Sequence, residues 1–162
     1  MKYLCLLSAI ILLFSCDKNE CCLPESTAMD LQIIINVINY NGDNMFNPST
    51  NNGFNIENVR FYKLIKNKTT IIENSNWDYP YGYRTDSNSN GDIYIQTTGL
   101  FPEPNVNFAE YIIEISNTEK DTLKCKVEKF TNVLRFTKIW VNDELKWDIA
   151  SKTERKINII VN

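Results

Sequence analysis

Apolar residues recur at every second position through much of the chain. Ala109, Tyr111, Ile113 and Ile115 alternate with Glu110, Ile112 and Glu114, and Ile157, Ile159 and Val161 alternate with Lys156, Asn158 and Ile160. A period of two puts successive side chains on opposite faces of a strand. No apolar stripe at helical spacing persists for twelve residues, so the pattern predicts strands. The runs are Leu31–Tyr40, Asn58–Ile65, Thr69–Glu73, Asp92–Thr98, Ala109–Ser116, Thr122–Phe130, Leu134–Val141, Glu144–Trp147 and Lys156–Val161. Asn, Gly, Asp and Pro clusters separate them. Asn142-Asp143 reads as a tight hairpin turn, and Asn117 to Asp121 as another. The expected fold is all-β, an antiparallel two-layer β-sandwich of immunoglobulin-like or prealbumin-like architecture, with a small barrel as the alternative. The Cys…Trp…Cys marks of true immunoglobulin domains are missing, so that label is architectural.

The N-terminal segment breaks this pattern. After Lys2, Tyr3 to Phe14 is apolar apart from Ser8. Twelve residues span about 18 Å as a helix, short of the roughly 30 Å hydrocarbon core. The segment reads as a secretory leader rather than a membrane span. It ends in Leu13-Phe14-Ser15-Cys16 and turns polar at Asp17-Lys18-Asn19-Glu20. This resembles the lipobox of bacterial lipoproteins: an aliphatic residue at −3, a small one at −1 and cysteine at +1. Phe14 at −2 is bulkier than the commonest choice. The resemblance implies cleavage between Ser15 and Cys16, diacylation of the Cys16 thiol, and acylation of the new amino terminus. At about 0.8 kcal/mol per buried CH₂, two or three chains hold a protein at a membrane where one does not. The expected organisation is a leader over 1–15, a lipidated tether over 16–29 and a β-sandwich over 30–162.

The Asp17–Glu20 stretch is similar to the export tether of surface lipoproteins in the Bacteroidota. The turn Asn41-Gly42-Asp43-Asn44-Met45-Phe46-Asn47-Pro48, with Tyr79-Pro80-Tyr81-Gly82-Tyr83 and Trp140-Val141-Asn142-Asp143-Glu144, is similar to flavobacterial-type lipoproteins with no assigned activity. The resemblance implies an outer-membrane, lipid-anchored β-domain, with the cell surface as one placement, and supplies no activity.

Composition narrows the chemistry. The chain has 162 residues and no histidine, which removes Ser-His-Asp and Cys-His catalysis and His-ligated zinc. A net charge of −3 argues against a nucleic-acid partner, which selects for a basic face. Asn occurs 22 times, Ile 20 and Ala 4, a bias that an AT-rich genome produces by itself. With Cys5 in the leader and Cys16 acylated, Cys21, Cys22 and Cys125 remain, an odd number that makes no disulfide framework. It leaves a single bridge, vicinal between Cys21 and Cys22, from either to Cys125, or between chains, as the alternative to free thiols. Leu123, Cys125 and Val127 share a strand face, so Cys125 reads as a small buried hydrophobe.

Two segments are candidate sites. Trp77, Tyr79, Tyr81 and Tyr83 lie within seven residues in a long loop; such rings stack on sugar faces, fill a partner's groove, or plug the end of a sandwich. Asp86, Asn88, Asn90 and Asp92, followed by Ile93, match the first eight positions of an EF-hand calcium loop. Thr97 stands where a bidentate Glu is required and no helices flank it, so calcium binding would be weak; an Asn-Gly hairpin turn is the plainer reading. No cofactor is implied. Glu110 and Glu114 would share an outer face about 13 Å apart, beyond the 5–9.5 Å that glycoside hydrolysis uses. The functional expectation is a non-catalytic, lipid-anchored interaction module for glycan, protein or another envelope component. The alternatives are an accessory subunit of an envelope assembly and a small carboxylate-based hydrolase.

Overall fold

The computed structural model describes residues 28–161. The leader, Cys16, Cys21, Cys22 and most of the tether lie outside the described residues. Eleven strands follow in chain order: β1 (Ala28–Asp30), β2 (Ile34–Asn39), β3 (Arg60–Ile65), β4 (Lys68–Ile71), β5 (Tyr83–Ser87), β6 (Ile93–Thr97), β7 (Phe108–Glu114), β8 (Lys120–Phe130), β9 (Val133–Val141), β10 (Glu144–Asp148) and β11 (Lys156–Val161). Two single-turn 3₁₀ segments, Ile56–Asn58 and Ile149–Ser151, are the helical elements among the described residues.

The strands form two sheets. The larger runs β1-β9-β8-β7-β3-β4, with β10 also paired to β9, and the smaller runs β11-β2-β6-β5. Alternation selects the inner faces: Ala109, Tyr111 and Ile113 on β7, Leu123, Cys125 and Val127 on β8, Ile35 and Val37 on β2, and Ile157, Ile159 and Val161 on β11. Residues of both sheets belong to one hydrophobic cluster, as in a β-sandwich. Cys125 is free and buried, and burial pushes its thiol pKa well up.

Both sheets are mixed, which corrects the expectation of a purely antiparallel sandwich. β11 pairs with β2 in parallel and β1 pairs with β9 in parallel. Strand alternation carries no record of direction, so the pattern could not tell these pairs from antiparallel ones. Two strands also went unread. β1 has three residues and no period to detect, and β5 buries only Tyr83 and forms by backbone pairing to β6. The β9–β10 turn is the predicted tight hairpin, with Asn142 and Asp143 both at positive φ.

Two features fix how the sheets meet. First, β8 has 11 residues, about 36 Å, whereas the strands of the smaller sheet have five or six, about 17–20 Å. The small sheet cannot cover the large one, and the segment 99–107 lies over the remainder, with Leu100 buried and Val106 packed on the core. Second, the chain changes sheets between β1 and β2 through Leu31, Gln32 and Ile33. Arg155 Nη1 donates to the Asp30 carbonyl (3.1 Å), to Asp30 Oδ1 (3.0 Å) and to the Gln32 carbonyl (2.8 Å). Arg135 Nε stands 2.7 Å from Asp30 Oδ2. One carboxylate thus joins Arg135 of the large sheet to Arg155 at the entry of the small one.

The Arg155 hydrogen bond, reinforced by the charges of Arg155 and Arg135, holds the Asp30 carboxyl below its ordinary range. A depressed carboxylate contributes stability above the unfolded value near 4, and that contribution is lost as pH falls through the lowered folded value. Asp30→Asn should therefore cost about 1 kcal/mol at neutral pH, a figure discounted because the Asp30 side chain is partly exposed. In urea titrations the gap between the two proteins should close as pH falls below about 4; a gap independent of pH would exclude the charge-assisted clamp.

Candidate functional site

The aromatic loop between β4 and β5 is a pinned structure. Ile72 is buried and its N–H donates to the Phe61 carbonyl. The Asn74 N–H donates to the Pro80 carbonyl (2.8 Å), Trp77 N–H to the Asn74 carbonyl (3.1 Å), and Asn76 N–H to Asn74 Oδ1 (3.0 Å). Gly82 then crosses the chain after β6: its carbonyl accepts from Thr98 and Gly99 at 2.7 and 2.9 Å. The crossing demands glycine twice. Gly82 has φ +74°, and a Cβ on Gly99 would lie 2.7 Å from Gly82 Cα and 2.9 Å from Trp77 Cζ3.

The four rings do not form one surface. Trp77 and Tyr79 are 37% and 40% exposed, whereas Tyr83 is 8% exposed. Trp77 meets Phe101 edge-on at 5.9 Å. Tyr81 is half-buried, with the Arg60 guanidinium 4.0 Å from its ring centroid; Arg60 Nη1 in turn donates to the Glu57 and Val59 carbonyls. Tyr83 points into the core, 5.8 Å from the Phe61 ring, and its hydroxyl donates to the Ile56 carbonyl at 2.8 Å. Burial raises its pKa. A groove of about 900 Å³ runs between Glu57, Asn58 and Arg60 on one side and Tyr79, Tyr81, Arg84 and Asp86 on the other. Arg60, Glu57 and Phe101 leave no local sign of this role in the sequence, because each reaches the loop through the fold from a separate segment.

The calcium-like motif forms the β5–β6 hairpin. Asn88 Oδ1 accepts from the N–H groups of Asn90 and Asp92, and Asn88 Nδ2 donates to Asp92 Oδ2 (3.0 Å). Asp86 lies on β5 opposite Tyr94, and its Oδ1 accepts from the Ser87 N–H; Asn90 is exposed at the tip. The segment Asn39-Tyr40-Asn41-Gly42-Asp43 builds the same network: Asn39 Oδ1 accepts from Asn41 and Asp43, and Asn39 Nδ2 donates to Asp43 Oδ2 (2.9 Å). Both glycines sit at positive φ, +87° and +82°. The shared sequence Asn-x-Asn-Gly-Asp is thus a turn that this chain uses twice, once without an aspartate two residues upstream. Among the described residues no three His, Cys, Asp or Glu side chains gather in a set able to hold a metal ion.

Glu110 and Glu114 are directly opposite Lys124 and Lys120 and pair with them at 3.4 and 2.9 Å. The Lys120 hydrogen bond holds the Glu114 carboxyl below its ordinary range. They form a cross-strand charge ladder.

No protein-family model matches the chain, and searches of curated proteins and of solved structures return no significant match.

The loop geometry separates scaffold from contact residues. Gly99→Ala should destabilise by about 1–3 kcal/mol through overpacking, and Tyr83→Ala by about 3 kcal/mol or more through loss of a core ring. Tyr79→Ala should cost no more than about 0.5 kcal/mol. Urea denaturation of the three variants checks the order.

Proposed function

We propose that this protein is a lipid-anchored, non-catalytic β-sandwich module of the bacterial outer membrane, held through Cys16, that binds a hydroxyl-rich ligand, a glycan, at the aromatic loop. Immunoglobulin-like and prealbumin-like sandwiches are the architectural neighbours of this reading, although β1–β9 and β2–β11 set it apart from a purely antiparallel example. The observation that carries the glycan reading is the pairing of a pre-set loop with a mixed groove. Tyr79 offers an exposed ring beside Arg60, Arg84, Glu57 and Asp86. Flat rings take up the apolar faces of sugars, and charged side chains and amides take up the hydroxyls. Because the loop is tied by its own backbone bonds, little ordering entropy is lost on binding. The resemblance at Leu13–Cys16 is the support for the anchor and the envelope placement.

A protein partner is the second reading. Phe108 and Trp140 lie together on the outward face of the large sheet, centroids 6.1 Å apart, and Phe108 is well exposed, as an accessory subunit of an assembly would require.

Two measurements test the proposal. Cys16→Ser should abolish incorporation of labelled palmitate and membrane partition; unchanged partition would remove the anchor. In affinity electrophoresis through gels containing purified polysaccharides, the protein should be retarded by at least one of them. Tyr79→Ala should restore free mobility while leaving the melting temperature within about 3 °C, as expected for a surface change. Absence of retardation by every polysaccharide, together with capture of a protein lost in Phe108→Ser, would replace the glycan by the second reading.

A further inference from the structure

The segment 99–107 leaves a second groove, of about 790 Å³, between itself and the ends of β1, β8 and β9. Its lining is mainly apolar: Met29, Pro104, Val106, Phe130 and Leu134. Met29 and Phe130 are 57% and 45% exposed, although both flank the core. The lining also carries Glu103, Asn105, Asn107, Glu128 and Lys129. Glu103 pairs with Lys63 at 2.8 Å and Glu128 with Lys126 at 2.5 Å, whereas Lys129, also on the rim, makes no ion pair among the described residues. Ala28 opens β1 beside this groove, and eleven residues, 17–27, separate it from Cys16.

We propose that this end of the sandwich rests on an anionic lipid surface, Met29 and Phe130 entering the interface and Lys129 meeting the headgroup phosphates. The inference rests on the reading of Cys16 as the acyl anchor. At most about 3.6 Å per residue, the connection from Cys16 to Ala28 cannot exceed about 43 Å. This end of the domain is therefore held near any membrane that carries the acyl chains, at an effective concentration where a weak apolar contact suffices. Exposed apolar side chains beside an exposed lysine are the composition of an interfacial contact.

The test uses the full acylated chain with Cys21 and Cys22 replaced by Ser, so that a polarity-sensitive fluorophore attaches at one new thiol while Cys125 stays buried. The labels are placed at Phe130→Cys and, as a control on the outward face of the small sheet, at Ile160→Cys. The protein is reconstituted into phosphatidylethanolamine–phosphatidylglycerol vesicles that carry a spin-labelled lipid. The expected result is flotation of both proteins with the vesicles, and a blue shift with loss of emission at position 130 alone. Lys129→Glu should reduce that shift, as should vesicles without phosphatidylglycerol. Flotation without a difference between positions 130 and 160 would overturn the lipid-facing end and leave the anchor intact. Failure to float would remove the anchor; the same labels with excess vesicles would then decide the contact, a missing shift at position 130 overturning it. A shift that needs protein concentration and no vesicles would assign the groove to a second copy of the chain and overturn the proposal.

Discussion

Two sheets of unequal reach share one core, and the rest of the architecture answers that mismatch. An interior close-packed between β7, β8 and β9 on one side and four short strands on the other has apolar positions that the small sheet does not reach. Segment 99–107 supplies the missing cover with Leu100 and Val106. Because it is a loop rather than a strand, it fits less completely, and grooves open along both of its flanks. Its start at Gly99 is also the point where the aromatic loop crosses, so the cover and the candidate contact loop are fixed by the same pair of glycines.

How much of this was legible in the residues follows from what each feature leaves in the sequence. Burial on one face leaves a period of two, and every strand that obeys it was found, including β7 and β11. Positive φ leaves Asn, Asp and Gly, and the Asn142-Asp143 turn was found by that sign. β5 escaped because an edge strand with one buried residue looks like a polar loop, and β1 because three residues hold no period. The parallel pairs escaped because direction is a property of the connections rather than of the strands.

The aromatic loop was legible as a cluster and illegible as a surface. Four rings close in sequence were divided by the fold into a core residue, Tyr83, a ring capped by Arg60, Tyr81, and two exposed rings, Trp77 and Tyr79. Nothing local distinguishes them, since the division depends on Phe61, Arg60 and Phe101, which arrive from elsewhere. The calcium-like motif shows the converse. One oxygen of the motif, Asn88 Oδ1, gathers two donors, but both are backbone N–H groups of its own turn, and Asn39 Oδ1 does the same in the other copy of the sequence.

The placement of β1 bears on how the domain withstands tension. A pull directed along β1 loads its backbone bonds to β9 together, in shear, instead of peeling them one after another. Behind those few bonds stands the Asp30 junction, which hands the load to Arg135 in one layer and Arg155 at the threshold of the other. Drag transmitted through the preceding residues would then be divided between both halves of the domain at its first strand, before it reached any loop on which recognition depends.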